Sequence, residues 1–98
     1  MSEDVTITAV DQGGAGEYHA AVAGSDAIGR LTWVHGDDGV RVAEHTLVPP
    51  EIGGRGVAAR LVEALITDAR AQGFRIKPQC SYVAAWFDRH PDAAELRV

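Results

Sequence analysis

Two prolines and a glycine turn, Pro49-Pro50 and Gly53-Gly54-Arg55-Gly56, divide this chain into halves with different periods. Before them, apolar residues recur at every second position, the spacing of strands. After them they recur at helical spacing. The prolines stop the last strand sharply, because they cannot donate to a sheet ladder. A glycine turn that opens a helix presents free backbone N–H groups at the positive end of the helix dipole, where an anion is favoured. The fold class is therefore α+β, and a phosphate-bearing ligand is the first functional expectation.

Val5, Ile7 and Ala9 alternate with Thr6 and Thr8 and predict a first strand. Gln12 to Gly16 is a turn by composition, and Glu17 to Ala23 a second strand with Tyr18, Ala20 and Val22 on one face. Gly24-Ser25-Asp26 reverses the chain into a third strand, Ile28 to His35. Gly36-Asp37-Asp38-Gly39 is a hairpin signal leading to a fourth strand, Val40 to Val48, which completes an antiparallel meander. Ala58, Leu61, Val62, Leu65, Ile66 and Ala69 then form one apolar stripe of a helix that Gly73 ends. Phe74 to Lys77 predicts a short fifth strand closed by Pro78. Ser81 is placed to cap a second helix, Tyr82 to Arg89, which His90-Pro91 terminates. The strand–helix–strand unit should cross right-handed, with the glycine turn at the carboxyl end of strand four, where open sheets hold ligands.

The 98 residues suit one domain, residues 1–98, with a single core. A content of 46% apolar and 23% charged residues is that of a globular protein rather than a disordered one. No apolar run approaches the roughly 20 residues of a membrane helix, and the acidic start Met1-Ser2-Glu3-Asp4 carries no apolar signal core, so a cytoplasmic location is the default. The net charge of −5 argues against nucleic acid as a partner and leaves room for a cationic one such as an amine. One cysteine and four scattered histidines show no metal-ligand spacing, so no metal is expected.

Two familiar phosphate motifs do not fit. The Gly-Lys-Ser/Thr triplet of a P-loop is missing, and the loop lies mid-chain without the acidic ribose ligand of a dinucleotide fold. Gly53-Gly54-Arg55-Gly56-Val57-Ala58 instead resembles the acetyl-CoA loop of the Gcn5-related N-acetyltransferases, Gln/Arg-x-x-Gly-x-Gly/Ala. Gly56 and Ala58 match its last two fixed places. Gly53 stands where Gln or Arg is usual, which leaves the backbone cradle but not a side-chain contact from that position. Glu44-His45-Thr46, Val48-Pro49-Pro50-Glu51, Lys77-Pro78-x-Cys80, Tyr82-Val83 and His90-Pro91 are similar to the minimal subfamily of this group, which lacks the N-terminal helices of the larger fold; the likeness spans roughly residues 30 to 97. The resemblance implies that acetyl-CoA lays its pyrophosphate on the amides of residues 54 to 58. Its pantetheine arm would run beside Leu47 and Val48, and its acyl group would lie where the sheet splays between strands four and five. Arg55 and Arg60 beside that loop would either add charge-assisted contacts to the phosphates or simply form a solvated helix start.

In this subfamily a His and a Cys in these two motifs line the acetyl site, and His45 and Cys80 match them. A neutral His45 is a candidate general base for the acceptor amine. Cys80 either protonates the departing sulfur or, as a thiolate, accepts the acetyl group first. Glu44 is an alternative base, but strict strand alternation would keep Glu44 and His45 from facing one site. Tyr82, Trp86 and Phe87 read as core, and His19 and His35 have no evident partner. The acceptor is an unidentified amine: a protein lysine or N-terminus, or a small amine. The competing readings are a non-catalytic acyl-CoA-binding sensor or interaction module, and a structural domain without a nucleotide ligand.

Overall fold

The computed structural model describes residues 4–98; of the acidic N-terminal segment read above, Met1 to Glu3 lie outside the described residues. Five strands form one sheet in the order β1-β2-β3-β4-β5. They are β1 (Val5–Asp11), β2 (Ala15–Val22), β3 (Ile28–His35), β4 (Val40–Leu47) and β5 (Arg75–Pro78). The first four run as an antiparallel meander, and β5 joins β4 in parallel. The connection is α1 (Val57–Gln72), and α2 (Ser81–Asp88) with a 3-10 segment (Pro91–Leu96) completes the chain. This is the α+β arrangement that the two periodicities demand.

Burial follows the pleat. Tyr18, Ala20, Leu31, Trp33, Ala43 and Ile76 lie on one face, buried against Val57, Leu61, Leu65 and Ala69 of α1 and Val83, Phe87 and Leu96 beyond it. On the other face none of Thr6, Thr8, Val10, Glu17, His19, Arg30, Thr32, Val34 and Val42 is fully buried. The sheet is therefore covered on one side only among the described residues, the amphipathic pattern expected of an antiparallel meander.

Several boundaries differ from the periodicity. β2 begins at Ala15, inside the segment read as turn, because Gly16 pairs with Trp33 and carries that ring where any Cβ would lie 2.3 Å from it. Pro50 opens a 3-10 turn, Pro50–Ile52, whose fully buried Ile52 pins the loop to the core. The buried stripe of α1 starts at Val57 rather than at the half-buried Ala58. The residue capping α2 is Cys80, and Ser81 is already helical.

The end of the sheet opposite the glycine turn is held by a polar cluster. Arg41 is buried with its guanidinium 3.9 Å from the ring centre of Trp33 and 4.0 Å from that of Phe74. It donates to the Tyr18 hydroxyl (3.4 Å) and to Gln72 (3.3 Å), while Tyr18 donates to Asp68 at 2.6 Å. Burial first, then the hydrogen bond to Asp68, pushes the Tyr18 hydroxyl well above its ordinary pKa. These bonds tie the last two turns of α1 to β2 and β4.

Candidate active site

The candidate site lies where β4 and β5 cease to be neighbours. They pair from Val40 and Arg75 to Ala43 and Pro78. One further bond, from the Cys80 N–H to the Ala43 carbonyl at 2.9 Å, ends the contact. β4 runs on to Leu47, whereas β5 stops at a proline and turns into α2. The β5-facing edge of β4 beyond Ala43 is consequently without a strand partner, and a gap opens at the carboxyl ends of the two strands.

A bulge decides which β4 side chain meets Cys80. Thr32 pairs with His45 but the next residue, Trp33, pairs with Ala43, so Glu44 is an extra residue in β4. Ala43 and Thr46 thereby share the core face, with Trp33 and Leu31 as their cross-strand partners. His45 joins Thr32 on the open face and is exposed. Strict alternation, which would have separated Glu44 from His45, does not hold across this bulge.

Thr46 places its Oγ1 3.4 Å from Cys80 Sγ. Burial pushes the Cys80 thiol up. Hydrogen bonds to the sulfur from the Thr46 side chain and from the backbone N–H groups of Val83, Tyr82 and Thr46 together outweigh burial, and the thiol sits below its ordinary value. Cys80 caps α2, so the helix dipole adds to the stabilisation of a thiolate.

The glycine turn lies at the same end of the sheet. Gly54 (φ 75°) and Gly56 (φ 73°) adopt the left-handed backbone that glycine alone enters cheaply. Gly53, with φ −69°, does not. Gly56 caps α1 without a side-chain hydrogen bond, and the first helical bond of the new turn runs from the Arg60 N–H to the Gly56 carbonyl at 3.1 Å. The amides of Val57, Ala58 and Ala59 thus precede any intrahelical acceptor. No acidic residue lies in the first turn of α1 to compete for an anion. Gly53 to Gly56, Arg55 included, are exposed, and Arg60 is half-buried. Leu47, an exposed large apolar side chain at 59%, and half-buried Val48 mark the approach from β4 to this loop.

The remaining histidines are accounted for locally. His19 pairs with Glu17 at 2.7 Å, and His35 packs edge-on against Trp33. His90 stacks on Trp86 with ring centres 3.8 Å apart, and its Nδ1–H donates to the Trp86 carbonyl at 2.7 Å. Trp86 and Phe87 are buried as read from the sequence, and Tyr82 is half-buried. Two threonines that sequence reading passed over lie beside these candidate residues. Thr46 was visible only as the third residue of Glu44-His45-Thr46, and Thr32, the cross-strand partner of His45, carries a buried Oγ1 with no hydrogen-bond partner.

A meander followed by helix, strand and helix, with its one parallel pair parting beside a glycine-turned helix start, defines a minimal form of the acetyltransferase fold. A family model described as GCN5-related N-acetyl-transferase matches residues 17–96. The chain belongs to that family, whose members transfer acyl groups. Among curated proteins, none matches the chain. No helix among the described residues is long and apolar enough to cross a membrane.

Proposed function

We propose that this chain moves an acetyl group from acetyl-CoA to an amine, as one catalytic domain over residues 1–98. The observation that carries the reading is the parting of β4 from β5 at the sheet end where the glycine turn opens α1. That juxtaposition suits a ligand with a diphosphate at one end and a thioester at the other.

In this reading the amides of residues 54 to 58 receive the diphosphate, with Arg55 and Arg60 alongside, and the pantetheine arm follows Leu47 and Val48 into the gap. The acceptor arrives over the face of the sheet that carries no helix, the side on which His45 is exposed. Neutral His45 takes the proton of the attacking amine, whose lone pair forms the C–N bond. The C–S bond then breaks with its electron pair on the coenzyme sulfur, and the Cys80 thiol supplies the proton for that sulfur. In the covalent variant the Cys80 thiolate first displaces the coenzyme and is itself displaced by the amine. An open acceptor face favours a protein lysine or N-terminus, or a small amine, and neither nucleic acid nor membrane enters the reaction. The cytoplasm is the proposed setting.

The test combines binding and chemistry. Acetyl-CoA in large excess over its dissociation constant should stabilise the fold by a few kcal/mol, and adding an amine should release free coenzyme thiol. A melting temperature that acetyl-CoA leaves unchanged, with no thiol released, would overturn the proposal. Binding without thiol release would favour an acyl-CoA sensor instead. Cys80→Ser should retain measurable transfer; its complete loss with binding intact would assign the covalent route.

A further inference from the structure

We propose that Thr46 is a positioning residue of the acyl-transfer site, acting through Cys80: its hydroxyl, 3.4 Å from the sulfur, holds that sulfur at the mouth of the β4–β5 gap. The consequence for turnover rests on the acetyltransferase reading, whereas the effect on the thiol does not.

The geometry begins with the bulge. Were Glu44 paired in register instead of bulged, strand alternation from Ala43 would set His45 on the core face and turn the Thr46 side chain away. With it, Thr46 lies beside Leu31 on the core face, and its Oγ1 comes within 3.4 Å of Cys80 Sγ. The Thr46 N–H, on an edge of β4 without a strand partner, contributes to the lowering of the thiol after the Thr46 side chain and the N–H groups of Val83 and Tyr82. Tyr82 and Val83 belong to the first turn of α2, directly after the Cys80 cap.

A threonine hydroxyl is suited to this work because it accepts from a thiol and donates to a thiolate, so it serves both protonation states without moving. Both routes pass through a thiolate: Cys80 acquires one when its proton goes to the coenzyme sulfur, or starts as one when it attacks the thioester. The charged and titratable groups nearest to Thr46 and Cys80 along the flanking elements are Glu44 and His45 on β4, Lys77 on β5 and Tyr82 on α2, with Arg41, Arg75 and Asp88 farther along the same elements. The causes that move the thiol are burial and hydrogen bonds rather than any of these charges.

Cys80 is the only cysteine of the chain, so alkylation by iodoacetamide, followed by mass, reports this thiol alone. The rate is measured against pH for the free protein, Thr46→Val, Thr46→Ala and Thr46→Ser. Thr46→Val should move the midpoint to higher pH by about 0.5–1 unit, and Thr46→Ser should restore it. With acetyl-CoA and a lysine-bearing peptide, kcat of Thr46→Val should fall roughly 3- to 10-fold at unchanged KM for acetyl-CoA. Thr46→Ala replaces Thr46→Val if the latter melts before the titration is complete. An unmoved midpoint in a folded variant overturns the role of Thr46 and leaves the acetyltransferase reading intact. A shifted midpoint with no turnover by any form of the protein, wild type included, upholds the thiol effect and sinks the acetyltransferase reading instead.

Discussion

Replacing Gly56 by alanine separates the backbone of the glycine turn from its surroundings. Gly56 has φ 73°, and a Cβ built on it meets nothing within 4 Å. The stability cost is therefore the left-handed backbone alone, about 1–2 kcal/mol for an L-residue. In a domain of this size that lowers the melting temperature by roughly 5–15 °C. Gly53→Ala is the control, since Gly53 has φ −69° and its Cβ would sit in ordinary contact 3.4 Å from the Pro50 carbonyl oxygen. It should melt within about 2 °C of wild type. The open space that the new Cβ enters at Gly56 is where the diphosphate is proposed to lie, so acetyl-CoA affinity by titration calorimetry should weaken at least about tenfold, near 1.4 kcal/mol. Relaxation of the strained turn would turn its amides away and add to that loss. A folded Gly56→Ala protein with unaltered affinity would refute the amide cradle. Equal destabilisation by Gly53→Ala and Gly56→Ala would refute the conformational argument.

Other expectations concern the opposite end of the sheet. Arg41→Ala empties the space between Trp33 and Phe74 and removes a donor from Tyr18 and Gln72. It should cost about 2–4 kcal/mol by denaturant titration, and a cost below about 1 kcal/mol would show that the ring sandwich carries no weight. Tyr18→Phe deletes the 2.6 Å bond to Asp68 and should cost about 1–2 kcal/mol near neutral pH. Its pH dependence has a definite sign. The Tyr18 pKa is raised in the folded protein, so folding keeps the proton that an unfolded tyrosine releases above about pH 10. Stability from this group is complete below that pH and is lost as pH rises beyond it. Wild type should thus lose stability faster than Tyr18→Phe in alkaline melts, and parallel profiles would count against the bond.

Legibility of the fold in the sequence varied with the range of the interaction concerned. The α1 stripe was readable because helical spacing is a local property, and its burial from Leu61 to Ala69 follows that stripe. The same holds for Gly54 and Gly56, whose positive φ belongs to the turn itself. Cys80 was found by a motif, but its role as the cap of α2 displaced Ser81, since the choice between neighbours depends on where β5 ends. Arg41 gave no sign in an alternating strand that it would be buried between two rings from β3 and the segment after α1.

By itself the amino-acid order determined the α+β class, the meander and the helix behind its glycine turn, while its family resemblance offered a strand-four histidine and a later cysteine as candidates. What only the tertiary structure decided is which β4 residue meets that cysteine. One extra residue at Glu44 exchanges the faces of His45 and Thr46. A bulge is a relation between two strands, invisible in either one alone, because a one-residue shift in pairing redirects every side chain beyond it.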